Sequence, residues 1–492
     1  MRPSLTHASS HSHAKSLAVR VGPYNIPMAR LYPFRALRYD PTHVNLTDVV
    51  TQPYDKITPD MQQRYYERSP YNLIRIILGK REPDDTEPQD FLPAGEQAHN
   101  VYTRAAEWLK QWRADNILAE EQEPALYGYS QTYTVPGTSE VRERRGFIAL
   151  GRLYDYADKV VYRHEQTFPK HKSDRLALFK ATRAYCEQIY MLYSDPAFTA
   201  EKLIFGASKE GKDTRPADLA ITDDYGVVHR VWKLTDSNLI NLIVTAMADK
   251  KLIIADGHHR YETSVAYAKE RSAQLKLPLG EPLDPDEKVG PGHLPAPPFP
   301  EAAMMMTFVN MDAPGITILP THRVVFGLED FSSPDFITKA SQYFDITEVA
   351  DDATGPDLIA RLSETPGESF IAATGDGNYI LTPRPEAIAP LLEGLPSKQR
   401  QLGVATLHTV VLAQLLGLDQ ATITRLGNVH YIRDAQEAVG LVESGDADVA
   451  FLIKPITLDQ LRDVSLSGEV MPQKSTDFYP KLLSGLAIYA LD

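Results

Sequence analysis

The sequence predicts a mixed α/β protein of the α+β class, on three observations. Apolar and polar residues alternate over 125–135 and 146–153, which is typical of paired strands, and Pro136-Gly137 lies at the predicted turn between them. Apolar residues recur at helical spacing over 97–114, which predicts an amphipathic helix. Strand and helix patterns follow one another without a repeat period, so we expect sheets packed against helices.

The elements before residue 277 can be predicted in order. Residues 31–59 carry extended and turn signals, and Thr58-Pro59-Asp60 is typical of a helix start with proline in the first turn. Residues 160–184 predict a strand, a polar loop and a helix. A short apolar run at 252–254 precedes a turn, which predicts a buried strand. The apolar face of the 97–114 helix is expected to contain Tyr102, Ala105, Trp108, Leu109 and Trp112.

The second half of the chain begins with a segment that cannot form regular structure. Proline and glycine are concentrated in residues 277–301, which predicts a loop or an insertion between domains. A continuous apolar run follows at 304–309, and residues 368–381 predict a hairpin. Helical patterns occupy 405–416 and 458–466.

The length of 492 residues exceeds one ordinary core, so we expect about two or three domains or subdomains. Residues 1–28 are rich in serine and histidine and are expected to form a disordered extension. A core with N-terminal α/β elements is expected over 29–276, followed by the 277–301 loop. A C-terminal α/β part is expected over 302–492.

The charge balance limits the partners that the protein can have. With 51 Lys+Arg against 65 Asp+Glu, the formal net charge is −14, which argues against broad nucleic-acid binding. The single cysteine, Cys186, excludes an internal disulfide framework and suits a reducing cytosol; we expect it in a helix as a small buried side chain. No apolar stretch approaches the roughly 20 residues of a membrane span, so we expect a cytoplasmic protein. The sequence leaves the oligomeric state open.

The strongest candidate site follows the strand predicted at 252–254. Asp256-Gly257 forms the turn, and His258, His259 and Arg260 are expected at the first turn of the next helix. Free backbone N–H groups and the helix dipole favour an anion there, and a guanidinium can bind phosphate through two hydrogen bonds. Asp256, at the end of the strand, is placed where Mg²⁺ is commonly held in phosphoryl-transfer sites. The alternative is an ordinary capped turn with solvated side chains.

A second polar segment begins at His164-Glu165 and includes Lys170. One interpretation is a solvated loop with salt bridges. The other makes Glu165 a general base and the nearby cations phosphate partners. The loop over 471–481 combines proline, lysine and hydroxyl side chains, among them Lys474, and could fold over a phosphate.

Several common sites are excluded or disfavoured. The sequence contains no G-x-x-x-x-G-K-[ST] phosphate loop, and His164-Glu165 does not continue into an H-E-x-x-H zinc motif. Thr321-His322-Arg323, at a predicted strand end, is expected at the surface. His408 and His430 are expected to be structural.

Taken together, six segments resemble a widespread prokaryotic family known as a domain of unknown function, number one thousand and fifteen. The resemblance spans 29–489, nearly the whole chain. The segments are Pro33-Phe34-Arg35-Ala36-Leu37-Arg38, Pro53-Tyr54-Asp55, Arg163-His164-Glu165, Ala255 with the following Asp256-Gly257-His258-His259-Arg260, Pro320-Thr321-His322-Arg323, and Lys474-Ser475-Thr476 with Pro480-Lys481.

That family resembles in turn the ParB and sulfiredoxin superfamily, whose G-x-x-R loop at a helix start binds nucleotide phosphates. The resemblance implies a ParB/sulfiredoxin-like nucleotide-binding core with additional α/β subdomains, and the loop corresponds here to Gly257-His258-His259-Arg260. Sulfiredoxin chemistry is excluded because its catalytic cysteine would stand at His258. ParB would need a helix-turn-helix region, which this acidic chain does not indicate.

The free-serine kinase branch is similar in carrying a His-Glu pair upstream of an Asp-Gly-His-[His/Thr]-Arg loop. The resemblance implies that Glu165, beside His164, is the base that activates a serine hydroxyl, and that Asp256 assists with the substrate or Mg²⁺. Lys170 and Lys474 are further candidates for binding phosphate, on the residue types of their own segments. Those kinases are much shorter, and the spacing from Glu165 to Asp256 is far longer here, so the acceptor stays open.

The sequence therefore predicts a phosphotransferase that uses Mg²⁺ and ATP or ADP to phosphorylate a small hydroxylated metabolite, with L-serine as the first candidate. The expected partners are a nucleotide and that metabolite, without nucleic acid or membrane. One alternative is a nucleotide-binding regulatory switch of ParB-like type. Another is a metal-dependent hydrolase that uses His164, His258 and His259.

Overall fold

A mixed β-sheet lies at the centre of the fold. The computed structural model describes residues 29–92, 96–165, 169–206, 215–279, 293–350 and 353–492, apart from the side chains of 169–171 and 424–426. Within these residues the sheet has nine strands, and most neighbouring strands are antiparallel. In order across the sheet the strands are Val161–Tyr162, Leu252–Asp256, Ile189–Tyr193, Ala303–Asn310, Val141–Arg152, Leu126–Thr134, Val228–Leu234 and Leu219–Thr222, with Leu31–Tyr32 added beside Val141–Arg152.

A second sheet, antiparallel throughout, is formed in the C-terminal part. It contains the hairpin predicted over 368–381. Across this sheet the described strands are Phe344–Val349, Gly377–Pro383, Phe370–Thr374, Val449–Ile453, His322–Val325 and Val429–Ile432. Three further antiparallel pairs are Leu37–Tyr39 with Leu118–Glu120, Thr317–Leu319 with Asp477–Tyr479, and Tyr489–Ala490 with Ala184–Tyr185.

Helices pack against both sheets, so the predicted mixed α/β class is confirmed. The helix His258–Leu275 contacts the first sheet, and Ala435–Glu443 contacts the second. The described α-helices are Leu46–Val49, Pro59–Arg68, Ile74–Ile77, Val101–Ala114, Pro169–Thr182, Thr199–Phe205, Ser237–Met247, His258–Leu275, Ser333–Ala340, Gly355–Glu364, Pro385–Leu392, Gly403–Thr406, Gln420–Leu426, Ala435–Glu443 and Leu458–Ser467, and Leu407–Leu415 is a π-helix.

Side-chain caps decide where two predicted helices begin. Thr58 caps Pro59–Arg68 by accepting a hydrogen bond from the backbone N–H of Met61, as the sequence signal predicts. The helix predicted from 97 begins only at Val101, because the Asn100 side chain accepts hydrogen bonds from the backbone N–H groups of Tyr102 and Thr103 in the first turn. Trp108, expected on the apolar face of this helix, is 41% exposed, whereas the other four predicted residues are buried.

Cys186 is buried as predicted, but its expected helical context is wrong. The preceding helix ends at Thr182, and Arg183 adopts a positive φ of 47°. Ala184–Tyr185 is then extended and pairs with Tyr489–Ala490 near the C-terminus. A strand partner more than 300 residues away in sequence is invisible to a local helical pattern.

The chain returns to the first sheet after residue 302. Ala303–Asn310 is fully buried between Ile189–Tyr193 and Val141–Arg152. The C-terminal part expected over 302–492 therefore contributes a strand to the first sheet. Residues 293–299 contain no strand or helix, as expected of the proline-rich loop. The rest of that loop at 280–292, and the extension expected over 1–28, lie outside the described residues.

The C-terminal segment 471–491 also packs on the N-terminal part. The guanidinium of Arg144, on the first sheet, donates hydrogen bonds to the carbonyl oxygens of Tyr479 and Pro480 at 3.3 and 2.5 Å. The amide of Gln131 donates to the carbonyl oxygen of Lys481 at 2.8 Å. These bonds fix the backbone of the C-terminal segment on the first sheet.

Arg323, on the second sheet, holds the start of the same segment. Its Nη2 donates to the carbonyl oxygens of Gln473 and Lys474 at 3.3 and 3.2 Å, and its Nε donates to His408 Nε2 at 3.2 Å. His322 accepts a hydrogen bond from the backbone N–H of Ile453. The expectation that this His-Arg pair lies at the surface is wrong, because both side chains are buried, Arg323 beneath the C-terminal segment.

The strand Leu252–Asp256 passes through one residue, Gly257, into the helix His258–Leu275, as predicted. Gly257 has a φ of +96°, a backbone conformation that residues with a side chain rarely adopt. A Cβ atom added there would lie 3.0 Å from Ile189 Cδ1. Glycine is therefore required at this turn on both conformational and steric grounds. Among the described residues, no helix combines the length and apolar character of a membrane span.

Replacing Gly257 by alanine should lower the free energy of unfolding by about 2–4 kcal/mol, through the strained φ and the contact with Ile189. Gly226→Ala is the matched control, because its φ is +75° but no atom lies within 4 Å of the added Cβ. Urea denaturation should give a larger loss at 257 than at 226. Equal losses would show that steric contact with Ile189 is unimportant.

Burial lowers the pKa of His322 to about 4, so the folded protein binds its proton less readily than the unfolded chain. The contribution of neutral His322 to stability is complete above pH 6.5 and should be lost as the pH falls from 6.5 toward 4, at up to roughly 1.4 kcal/mol per pH unit. His322→Asn keeps an acceptor for the Ile453 N–H but cannot titrate. Denaturation at several pH values should give a shallower decline for the variant; parallel curves would mean that His322 titrates as in the unfolded chain.

Candidate active site

The predicted site segments meet around one cavity of about 650 Å³. Residues 255–260 and Glu165 line one part of it, and Tyr54 with the next three residues lines another. The C-terminal part contributes Thr321, Tyr431, Arg433 and four residues of 474–481. Segments that are far apart in sequence, including Glu165 and Asp256, therefore converge.

Asp256 is fixed by two cations at the edge of this cavity. Its Oδ1 lies 3.2 Å from Lys481 Nζ, and its Oδ2 lies 3.3 Å from Arg260 Nη2. Burial alone would raise the pKa of Asp256, but the charges of Lys481 and Arg260 outweigh it and hold the pKa well below the usual range. Asp256 is therefore a carboxylate at neutral pH.

Arg260 is buried beneath the loop. Its Nη1 donates to the carbonyl oxygen of Gln188 at 2.7 Å and lies 3.8 Å from Glu187 Oε1, while Nη2 donates to Asp256. These bonds tie the helix start to the neighbouring strand and to Asp256. Arg260, His258 and His259 all line the cavity with Gly257, and their binding of phosphate stays a prediction.

Glu187 is a buried carboxylate that the sequence did not single out. It lies between two guanidinium groups, Arg260 and Arg175, and accepts a hydrogen bond from the backbone N–H of Tyr54 at 3.0 Å. Burial raises its pKa despite the neighbouring cations. It connects the helix Pro169–Thr182, the Tyr54 turn and the Gly257 loop, which local sequence patterns cannot reveal.

Glu165 faces the cavity, and its Oε1 is not the acceptor of the nearest hydroxyl among the described residues. Burial lowers the pKa of His164, so this imidazole is neutral. Its Nδ1 lies 2.8 Å from the carbonyl oxygen of Ile254, which can only accept, so Nδ1 carries the proton. Nε2 then accepts the hydroxyl proton of Thr476 at 2.8 Å, and Glu165 Oε1, 3.5 Å from the same hydroxyl, receives none.

His164 itself is fully buried behind the cavity wall and contacts the His258 ring edge to face, with centroids 4.6 Å apart. Burial holds the pKa of His258 well below its usual value, so this ring is also neutral. Its Nε2 has no hydrogen-bond partner among the described residues. The catalytic role expected for His164 stays a prediction.

The C-terminal segment supplies a network of charges that the sequence indicates only as a polar loop. Lys481 Nζ lies 3.1 Å from Asp477 Oδ1, Lys56 Nζ lies 3.5 Å from the same oxygen, and Arg433 Nε donates to Asp477 Oδ2 at 2.6 Å. Burial would raise the pKa of Asp477, but these three cations lower it to about 2. Tyr431 and Arg433, at the end of the strand Val429–Ile432, also line the cavity, and no sequence motif indicated either residue.

The two remaining predicted lysines differ in position. Lys474 lines the cavity, is exposed, and has a φ of +56°. Lys170 belongs to the helix Pro169–Thr182, but its side chain lies outside the described part of the chain. The phosphate contacts expected for both stay predictions.

The carboxylate of Asp256 is the type of group that binds Mg²⁺ in proteins. Mg²⁺ in phosphate sites takes one or two carboxylates and completes its shell with phosphate oxygens and water. Both Asp256 oxygens accept from cations, yet each carboxylate oxygen has a second lone pair. Among the described residues, the one group of three clustered donors is Glu82, Asp84 and His99, at an exposed position outside the cavity lining.

Comparison with solved structures gives distant likenesses. A free serine kinase in complex with AMP is 11% identical with a TM-score of 0.29, over 65% of this chain and 83% of the kinase. SbnI from Staphylococcus aureus, with a C-terminal truncation, is 13% identical with a TM-score of 0.32, over 68% and 85%. A conserved hypothetical protein from Pyrococcus furiosus is 11% identical with a TM-score of 0.30, over 66% and 89%. Likenesses this distant do not transfer an activity.

A search of curated protein sequences gives no match. The family model described as "Protein of unknown function (DUF1015)" matches residues 31–405, about three quarters of the chain. The match includes the Glu165 segment, the Gly257 loop and the Arg323 strand, which all build the cavity or its support. The chain therefore belongs to the DUF1015 family.

Proposed function

We propose that the protein is a nucleotide-dependent phosphotransferase that transfers a phosphoryl group from ATP or ADP to a small hydroxylated metabolite, with L-serine as the first candidate. The observation that carries the proposal is the cavity where a carboxylate with free acceptor capacity, Glu165, faces the same space as a strand–glycine–helix loop and several cations. A volume of about 650 Å³ suits a nucleotide-sized ligand.

Phosphoryl transfer depends mainly on positioning and on neutralising charge, and the residues of this cavity can supply both. The backbone at 257–260 binds the phosphate groups. Glu165 takes the proton of the acceptor hydroxyl as the hydroxyl oxygen bonds to the terminal phosphorus. The bond from that phosphorus to the bridging oxygen breaks, and ATP leaves as ADP, or ADP as AMP. Mg²⁺, held by Asp256, would neutralise phosphate charge.

Incubation with ATP or ADP and L-serine should yield O-phosphoserine, detected by mass spectrometry, together with one equivalent of the shortened nucleotide. A panel of other small hydroxy acids and amino acids tests the acceptor. Nucleotide binding without a phosphorylated product from any of them would contradict the kinase proposal and favour a nucleotide-binding switch.

Replacing Glu165 by glutamine should lower turnover by at least about 100-fold, because the amide cannot accept the hydroxyl proton, while nucleotide affinity stays near that of the wild type. Turnover and calorimetric binding of ADP measure the two effects. Glu348→Gln is the control, since Glu348 is exposed on the second sheet and should change neither. Unchanged turnover in Glu165→Gln would exclude Glu165 as the base.

A further inference from the structure

Lys474 differs from every other described cation that lines the cavity, because it has no carboxylate partner. Arg260 pairs with Asp256 and Glu187, and Lys481 pairs with Asp256 and Asp477. Lys56 and Arg433 both pair with Asp477. Among the described residues, Lys474 forms no salt bridge, and its exposed ammonium is available to a ligand.

The backbone of Lys474 is strained. Its φ of +56° lies in the left-handed region, which glycine adopts freely and which costs other residues about 1–2 kcal/mol. Because the Lys474 side chain is exposed, no burial of apolar surface offsets the free-energy cost of this backbone conformation. Six other described non-glycine residues share this conformation, among them Lys159 and Lys276, but of the seven only Lys474 lines the cavity.

Arg323 holds this strained residue in place. The Arg323 side chain is completely buried, and its four hydrogen-bond acceptors are the carbonyl oxygens of Thr321, Gln473 and Lys474 and the Nε2 of His408. The guanidinium lies over the Tyr431 ring, 5.3 Å from its centroid. Burial lowers its pKa to about 10. No carboxylate forms a salt bridge with this buried charge among the described residues, so its hydrogen bonds, two of them to the carbonyl oxygens of the loop, must offset the cost of burying it.

We propose that Lys474 binds the phosphate groups of the nucleotide and that Arg323 is its positioning residue, so that the second sheet supplies one wall of the binding site. This inference rests on the proposed function and extends it to the C-terminal part of the chain. Lys474 shares its loop with Thr476, whose hydroxyl lies 3.5 Å from Glu165 Oε1. The wall formed by this loop therefore lies beside the proposed base.

Lys474→Gly tests the first half of the proposal, because glycine removes the ammonium and relieves the backbone strain. The variant should keep or raise the melting temperature, yet bind ADP at least 10-fold more weakly by calorimetry. Lys276→Gly is the matched control: Lys276 has a φ of +55° and lies outside the cavity lining. It should gain stability similarly and leave ADP affinity unchanged. Unchanged ADP affinity in a folded Lys474→Gly protein would overturn the role of Lys474.

Arg323→Lys tests the positioning role, because lysine keeps the charge but cannot hold both carbonyl groups in the same geometry. It should weaken ADP binding and raise KM for the nucleotide more than it lowers kcat. The double variant with Lys474→Gly should bind no more weakly than Lys474→Gly alone, since Arg323 acts through Lys474. Additive losses, or wild-type affinity in Arg323→Lys, would overturn the positioning role.

Inorganic pyrophosphate separates this inference from the proposed function. Suppose that the wild-type protein binds pyrophosphate but no nucleotide, and that Lys474→Gly loses that binding. The nucleotide-kinase proposal then fails, whereas the role of Lys474 in binding phosphate groups is supported. If the wild type binds neither ADP nor pyrophosphate, both proposals fail.

Discussion

The buried ion pairs of Lys481 with Asp256 and Asp477 are the interactions on which the cavity depends. They join the C-terminal segment to the end of the strand Leu252–Asp256, 225 residues earlier in the chain. Burying a charge is costly unless the charge is paired or hydrogen-bonded, so the C-terminal segment and the strand end stabilise each other. Lys56 and Arg433 extend the same network through Asp477 and complete the cavity wall.

Two buried arginines, one on each sheet, fix the backbone that carries these charges. Arg144 holds the carbonyl oxygens of Tyr479 and Pro480, and Arg323 holds those of Gln473 and Lys474. Each guanidinium also lies over a tyrosine ring. Because a guanidinium has five donors in a fixed plane, it can grip two carbonyl groups at once, and the loop between the two sheets acquires a defined conformation.

Local elements were largely predictable because their signals are local. The apolar run at 252–254, the glycine after it and the helical spacing beyond it all act within a few residues, and the structure confirms strand, turn and helix in that order. The capping signal of Thr58, which marks the start of the helix Pro59–Arg68, is local in the same way. The predictions were wrong where residues far away in sequence determine the local structure. The helix expected at Cys186 is absent because the preceding residues pair with a strand near the C-terminus. Arg323, expected at the surface, is buried because the C-terminal segment covers it.

The sequence by itself determined the mixed α/β class, the family and the residue types of the candidate site. It also determined the turn at Gly257, because glycine is the residue that readily adopts the positive φ found there. Only the tertiary structure decided which charges are paired: Arg260 is turned inward to Asp256, whereas Lys474 stays open to the cavity. The reason is physical, since burial and ion pairing depend on groups hundreds of residues apart, whereas turn and helix propensities depend on near neighbours.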